Sequence, residues 1–170
     1  RARKELENLG HETTLSYLSE TAGRVMQETS LLPHINAGVM PADELRNLRK
    51  VSVSQGLMLE SVSQHLQQKG GPHHGSPDKV PGVRMENIRL AGAEKIPFTS
   101  GILIGIGETR EERIQALLAL RELQDEHGHL QEIIIQNFKA KQGTPMENSP
   151  EPSIKEISWS VAIARILFGP

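Results

Sequence analysis

The sequence predicts an α/β protein built on a parallel sheet, and three features of its patterning point that way. Apolar spacing switches repeatedly between a helical period and short continuous runs, as in a β/α repeat. Two of those runs, Ile102-Leu103-Ile104 and Ile133-Ile134-Ile135, contain no polar residue, so both of their faces need cover, as in a sheet flanked by helices. Each apolar run then delivers a polar residue or a glycine at its carboxyl end: Asn36, Glu60-Ser61, Gly105 to Glu108, and Gln136-Asn137.

The elements follow in order. Leu15, Leu18, Ala22, Val25 and Met26 recur at helical spacing, so about the first thirty residues read as helix. Leu31 to Asn36 is a short apolar run bounded by Gly38 and Pro41, and reads as a strand. Pro41 suits a first helical turn and Asp43-Glu44 a helix amino end, giving a short helix to about Lys50. Leu57-Met58-Leu59 reads as a second buried strand closing on Glu60-Ser61, with Met58 as core filler.

The Gly70-to-Lys79 stretch is too rich in glycine and proline for regular structure, and loops this long are functional or disordered. A helix over about Val83 to Glu94 and a strand over Phe98 to Ile106 come next. The capping box Thr109-Arg110-Glu111-Glu112 opens the clearest helix, with Ile114, Leu117, Leu118 and Leu123 on one side and a stop near Gly128. Ile133 to Ile135 forms the last strand, and a second capping box, Ser153 to Glu156, opens the final helix.

Four strand–helix units imply a parallel sheet with right-handed crossovers, either a small open sheet or half of a (β/α)8 TIM-type barrel. Arg1 in place of Met, and Gly169-Pro170 stopping the last helix, favour the barrel, with residues 1–170 as an interior fragment of one barrel domain.

The net charge of −2, with both signs interspersed, argues against a nucleic-acid footprint. No run is apolar enough to span a membrane and no signal pattern opens the chain, so no membrane partner and a cytoplasmic setting are expected. The absence of cysteine excludes disulfides, thiolate metal sites and a cysteine nucleophile within these residues, and no metal site is expected here.

In a β/α barrel the active site is built at the carboxyl ends of the strands, so the four polar endings would share one mouth. Gly105 and Gly107 let backbone approach a flat or charged ligand, which would suit a phosphate-cradling turn. The dinucleotide fingerprint nevertheless fails, because its third glycine falls on Arg110 and no acidic residue follows at a strand end. A plain glycine turn feeding a capped helix explains Gly107 and Thr109 but leaves Gly101 and Gly105 without a reason. Among the histidines, His127 and His129 suit a structural place beside a helix end. His73 and His74, neighbours in the long loop, suit substrate contact better than a metal pair. His34 is expected in the core or lining the mouth, and His11 and His65 on the solvated surface.

The Gly101-to-Glu108 octet resembles the fifth-strand motif of radical S-adenosylmethionine (SAM) enzymes, Gly-x-Ile-x-Gly-x-x-Glu, with Leu103 in the isoleucine place. With Leu32-Pro33-His34, Gly56 to Glu60, Gly70 to His73, Gly75 to Lys79, Pro97-Phe98-Thr99 and Gln136 to Lys141, the chain resembles the 7,8-didemethyl-8-hydroxy-5-deazariboflavin synthase family.

That resemblance implies a barrel whose first strand is followed by three cysteines holding a 4Fe-4S cluster, a loop this chain does not contain. It also implies that the four strands are numbers three to six of the barrel, and that the element gripping the SAM amino group lies elsewhere. Glu60, with Ser61 beside it, would bond the ribose or amino-acid part of SAM. Leu103 and Gly105 would pack on adenine, and Gln136 and Asn137 would approach adenine or substrate through their backbone. Arg84 would pair with the SAM carboxylate or, alternatively, sit solvated at a helix start. His73, His74, Asp78 and Lys79 form the loop on the substrate side. The implied reaction turns a small molecule, a tyrosine–diaminouracil adduct made by a second radical SAM subunit or domain, into a deazaflavin with loss of ammonia. Two alternatives stay open: another radical SAM enzyme of related architecture, and a cluster-free binding module.

Overall fold

The structure is a computed structural model and describes residues 2–169, so Arg1 and Pro170, on which part of the fragment expectation rests, lie outside the described residues. The order is α1 (Ala2–Asn8), α2 (Thr14–Glu28), β1 (His34–Ile35), α3 (Ala42–Arg49), β2 (Ser54–Gly56), α4 (Pro81–Ala93), β3 (Phe98–Ile104), α5 (Arg110–His127), β4 (Leu130–Asn137) and α6 (Ile154–Phe168). The strands form one parallel sheet in the order β1-β2-β3-β4, so each unit lies beside the one that precedes it, as in a segment of a (β/α)8 barrel.

The core lies between the sheet and its helices. Ile35, Leu57, Leu59, Phe98, Ile102 and Ile104 from the strand side pack against Leu45, Leu48, Ile88, Leu117, Leu120 and Leu123 from the helices. Along β3, residues 98, 100, 102 and 104 are buried while Thr99 and Leu103 are half-buried, so the period of two sends Leu103 to the concave face. Gly101 also belongs to that face. A Cβ there would collide with the Ile134 carbonyl, so close strand approach is its reason for being glycine.

Several local expectations change. The opening helix is two helices, because Gly10 takes φ 82° and Thr13 starts α2 with its own capping box to Ser16. Strand β1 is only two residues long, and Leu31 and Leu32 before it are exposed. Strand β2 pairs earlier than its apolar run suggests. Ser54–Gly56 make the ladder, whereas Leu57 and Leu59 are buried beyond it and Met58 is half-buried.

Strand β3 ends at Ile104 rather than Ile106, since Gly105 adopts φ 92° and leaves the extended region. On α5 the buried stripe is Arg113, Ala116, Leu117, Leu120 and Leu123, and Leu118 points to solvent. Ile133, Ile134 and Ile135 are only half-buried, for β4 pairs with β3 alone among the described residues. At α6 the cap is half a box. Ser153 accepts from the Glu156 amide, but the Glu156 side chain turns to Arg110 and Arg113 instead.

Leu117 and Leu118 are neighbours in sequence with opposite fates, which makes a direct test. Leu117→Ala should destabilise the protein by about 2–5 kcal/mol through lost transfer energy and a cavity, and Leu118→Ala by less than about 0.5 kcal/mol. Denaturation midpoints of the two variants measure the difference, and equal shifts would contradict the assigned helix face.

Candidate active site at the carboxyl ends of the strands

Beyond β2 the chain meets β3 once more, shifted by one residue from the ladder's register. Glu60 bridges to Ile102, donating its amide to the Gly101 carbonyl at 3.0 Å and accepting from the Leu103 amide at 2.9 Å. Glu60 does this with φ 65°, a left-handed conformation that a residue with a Cβ adopts at a cost. The kink aims its carboxylate into a nest of donors. Lys79 Nζ lies 2.9 Å from Oε1 and 2.8 Å from Oε2, Arg84 Nη1 2.9 Å from Oε1, and His73 Nε2 2.9 Å from Oε2.

Each partner is delivered by a different device. A 3-10 turn over Pro77–Lys79 carries Lys79, and α4 begins at Pro81 so that Arg84 falls in its first turn. Arg84 is 6% exposed, which excludes the solvated helix-start alternative. It also donates to the carbonyls of Asp78 at 2.8 Å and Met58 at 2.5 Å, and the Asp78 carboxylate stands 3.7 Å from its Nη2. Burial pushes the Glu60 carboxyl up, but the His73 and Lys79 hydrogen bonds, with the charges of Arg84 and Lys79, outweigh it and hold the group at about 2.

A second network shapes the turn after β3. The Glu108 carboxylate accepts the amides of Gly105 at 2.8 Å and Ile106 at 2.9 Å, so the donors a phosphate would need are already taken. Arg113, buried on α5, holds Glu108 at 2.7 Å and reaches Glu156 on α6 at 2.8 Å. Arg110 joins Glu156 at 2.6 Å and lies 4.7 Å from the centre of the Trp159 ring. Gly105 is required by space as well as by φ, since a Cβ there would sit 2.6 Å from Pro152 Cδ. In the sequence Glu108 shows only as the end of the strand-end turn and motif, Glu156 only as a capping residue, and Arg113 carries no signal. A carboxylate three residues after a strand-end glycine was the available signal.

Leu103, Gln136 and Asn137 line a cleft of about 1020 Å³, closed on one side by the Gly70–Pro72 segment and His74 and on the other by residues 138–149. The predicted site residues therefore divide. Glu60, His73, Asp78, Lys79 and Arg84 meet in one charged cluster, while His74, Leu103, Gln136 and Asn137 meet in the cleft. Gly105 sits beneath Pro152 rather than open to the cleft, and buried Ser61 turns aside to accept the Ser63 amide at 3.1 Å. Asn36 and His34 are exposed, so His34 is no core residue; its ring bonds Ser54 Oγ at 2.8 Å.

His65 is not simply solvated. It contacts Ser63 Oγ at 2.8 Å, Glu112 at 3.1 Å and the Gly107 carbonyl at 3.2 Å, tying two mouth loops together. His11 tucks edge-on against Tyr17 with its side chain 10% exposed. His129 is buried and bonds the Ile88 carbonyl at 2.9 Å, as a structural residue should. Among the described residues no group of three or more His, Asp or Glu could hold a metal ion, and no helix is long and apolar enough to cross a membrane.

The ionised state of Glu60 has a pH signature. Its folded-state value of about 2 lies below the ordinary 4.5, so its contribution is fully present above pH 4.5 and is lost as pH falls toward 2. The contribution is on the order of 3 kcal/mol. Unfolding free energy measured between pH 5 and 2.5 should fall more steeply for the native protein than for Glu60→Gln, and parallel curves would contradict the assignment.

No protein-family model matches the chain. FO synthase of Streptomyces avermitilis is 46% identical over 170 residues, 99% of this chain and 20% of that protein. The 7,8-didemethyl-8-hydroxy-5-deazariboflavin synthase of Methanopyrus kandleri is 44% identical over 163 residues, 96% of this chain and 49% of that one. Among solved structures, the FeFe-hydrogenase maturase HydG from Carboxydothermus hydrogenoformans superposes with a TM-score of 0.75 at 19% identity, covering 91% of this chain and 36% of that one. Methylornithine synthase superposes with a TM-score of 0.71 at 22% identity, covering 91% and 44%. The two structures share the fold. The chain thus spans about a fifth to a half of the length of these curated relatives. At 44–46% identity along almost its whole length, the chain is similar to a segment of those longer FO synthases.

Proposed function

We propose that this chain forms strands three to six of a radical SAM barrel, in an enzyme that makes a 5-deazaflavin from a tyrosine–diaminouracil adduct with loss of ammonia. The observation that carries the reading is 44–46% identity to FO synthases over 96–99% of the chain. Another radical SAM enzyme would share the barrel but not that identity, and a cluster-free module would have no use for two small-molecule sites side by side.

The donor set fits SAM in part. Lys79 and Arg84 face the buried Glu60 and the more exposed Asp78, so a ligand carboxylate would take the place Asp78 holds, 3.7 Å from Arg84 Nη2. Leu103, Ile106 and Phe138 offer apolar surface in the cleft for the ring of the second molecule, the adduct. The fit does not extend to the cluster. With no cysteine in the chain, no thiolate ligand comes from these residues, and the reading places those ligands elsewhere in the full-length protein. Bound there, a 4Fe-4S cluster would supply one-electron chemistry to SAM. The residues described here orient the ligands and exclude water around them. A reduced cluster suits a cytoplasmic enzyme, and the adduct would come from a second radical SAM subunit or domain.

Anaerobically reconstituted full-length protein, given SAM and the adduct, should release 5′-deoxyadenosine and a fluorescent deazaflavin. Arg84→Gln should raise the SAM dissociation constant about 10- to 100-fold, as expected for a lost charged hydrogen bond. No deazaflavin from native protein would sink the assigned reaction. Unchanged SAM affinity in a folded Arg84→Gln protein would remove Arg84 from the binding set.

A further inference from the structure

The Gly70–Lys79 loop has one buried residue, His73, which is 5% exposed between exposed neighbours on both sides. Its amide bonds the Leu66 carbonyl at 3.0 Å, and its ring crosses to Glu60. Leu66, itself 1% exposed, supplies the apolar anchor of this region, and His73 supplies the polar one. His74 turns the other way. It bonds the Gln67 carbonyl at 3.2 Å and lines the cleft together with Gly70, Gly71 and Pro72. The space is tight at this wall, since a Cβ on Gly71 would collide with the Leu66 carbonyl.

The Glu60 carboxylate already has a donor in each of its lone-pair directions: two contacts from Lys79, one from Arg84 and one from His73. A ligand could bond those oxygens only by displacing one of these partners. Lys79 and Arg84 belong to the Pro77–Lys79 turn and to α4, and they bond the Glu60 carboxylate independently of His73. What His73 alone contributes is the tether between the strand end and the cleft wall.

We propose that His73 is a positioning residue: through Glu60 it fixes the Gly70–His74 wall of the cleft and so sets the room for the second small molecule, the adduct rather than SAM. This rests on the functional reading above for the identity of that molecule, but not for the tether itself.

The test uses full-length protein carrying His73→Ala or His73→Gln, the glutamine placing an N–H donor where the imidazole Nε2 stands. Amide hydrogen exchange across residues 70–76 should accelerate at least about tenfold in His73→Ala, because local opening no longer breaks the tether. The adduct KM should rise about tenfold, while the SAM dissociation constant stays within about twofold. His73→Gln should return both exchange and KM toward native values. If His73→Ala does not fold by its thermal melt, His73→Asn, whose amide is too short to reach Glu60, takes its place with the same expectation. Unchanged exchange, a SAM affinity that falls as far as adduct affinity, or a glutamine variant that restores nothing would each overturn the proposal. Should the protein make no deazaflavin, the exchange result still decides the tether, so the two readings fail separately.

Discussion

One buried carboxylate organises the mouth of this sheet. Glu60 is held by three side chains that reach it from two segments, the loop containing His73 and the turn and helix carrying Lys79 and Arg84. A buried carboxylate without partners would cost several kcal/mol and would take up a proton instead. With them it stays charged, and its charge then holds every donor in place. Because Arg84 also caps the Asp78 and Met58 carbonyls, the strand end, the long loop and the amino end of α4 form one hydrogen-bonded unit. Removing one donor would leave the others. Removing the acceptor would leave buried Arg84 with only the Asp78 carboxylate, 3.7 Å away, as its counter-charge.

The neighbouring unit applies the same logic, a carboxylate after the strand held by an arginine of the next helix. There Glu108 neutralises two backbone amides and is itself held by Arg113, whose second partner, Glu156, lies on the next helix. The chain of alternating charges runs from the turn after β3, through α5, to α6 and Trp159. It links three successive elements across distances that apolar contacts alone would not specify. Leu103 and Ile106 line the cleft, and the two networks act on it through the loop and turn they hold.

Much of the architecture was legible in the sequence. Ile102-Leu103-Ile104 and the Thr109–Glu112 box carry their own instructions, and the sheet and α5 stand where those residues predict. What was hidden depended on partners far along the chain. That Leu118 faces solvent while Leu120 does not is decided by where α4 and β3 lie, and the period of 3.6 alone tolerated either face. Gly101 and Gly105 looked reserved for a ligand. They are reserved for Ile134 and Pro152, residues 33 and 47 positions away. Among the site residues, the motif letters pointed to Glu60 and Arg84 as separate ligand contacts, and nothing in their spacing showed that they bond each other. Ion pairs between distant segments leave no periodic trace, so the charged cluster was read as parts and not as a unit.

The left-handed backbone at Glu60 has a consequence for how this position can change over evolutionary time. Glycine would relieve a conformational cost of about 1–3 kcal/mol, and asparagine part of it, since both tolerate φ near 65°. Neither keeps the anion at the centre of the cluster. Every backbone-friendly replacement therefore sacrifices electrostatics, and the nearest electrostatic replacement, aspartate, has a shorter reach and keeps the strain. Drift toward local comfort is blocked here by a requirement that is not local. Position 60 should accordingly behave as an isolated peak in sequence space, with no single step leading away from it that improves one property without forfeiting the other.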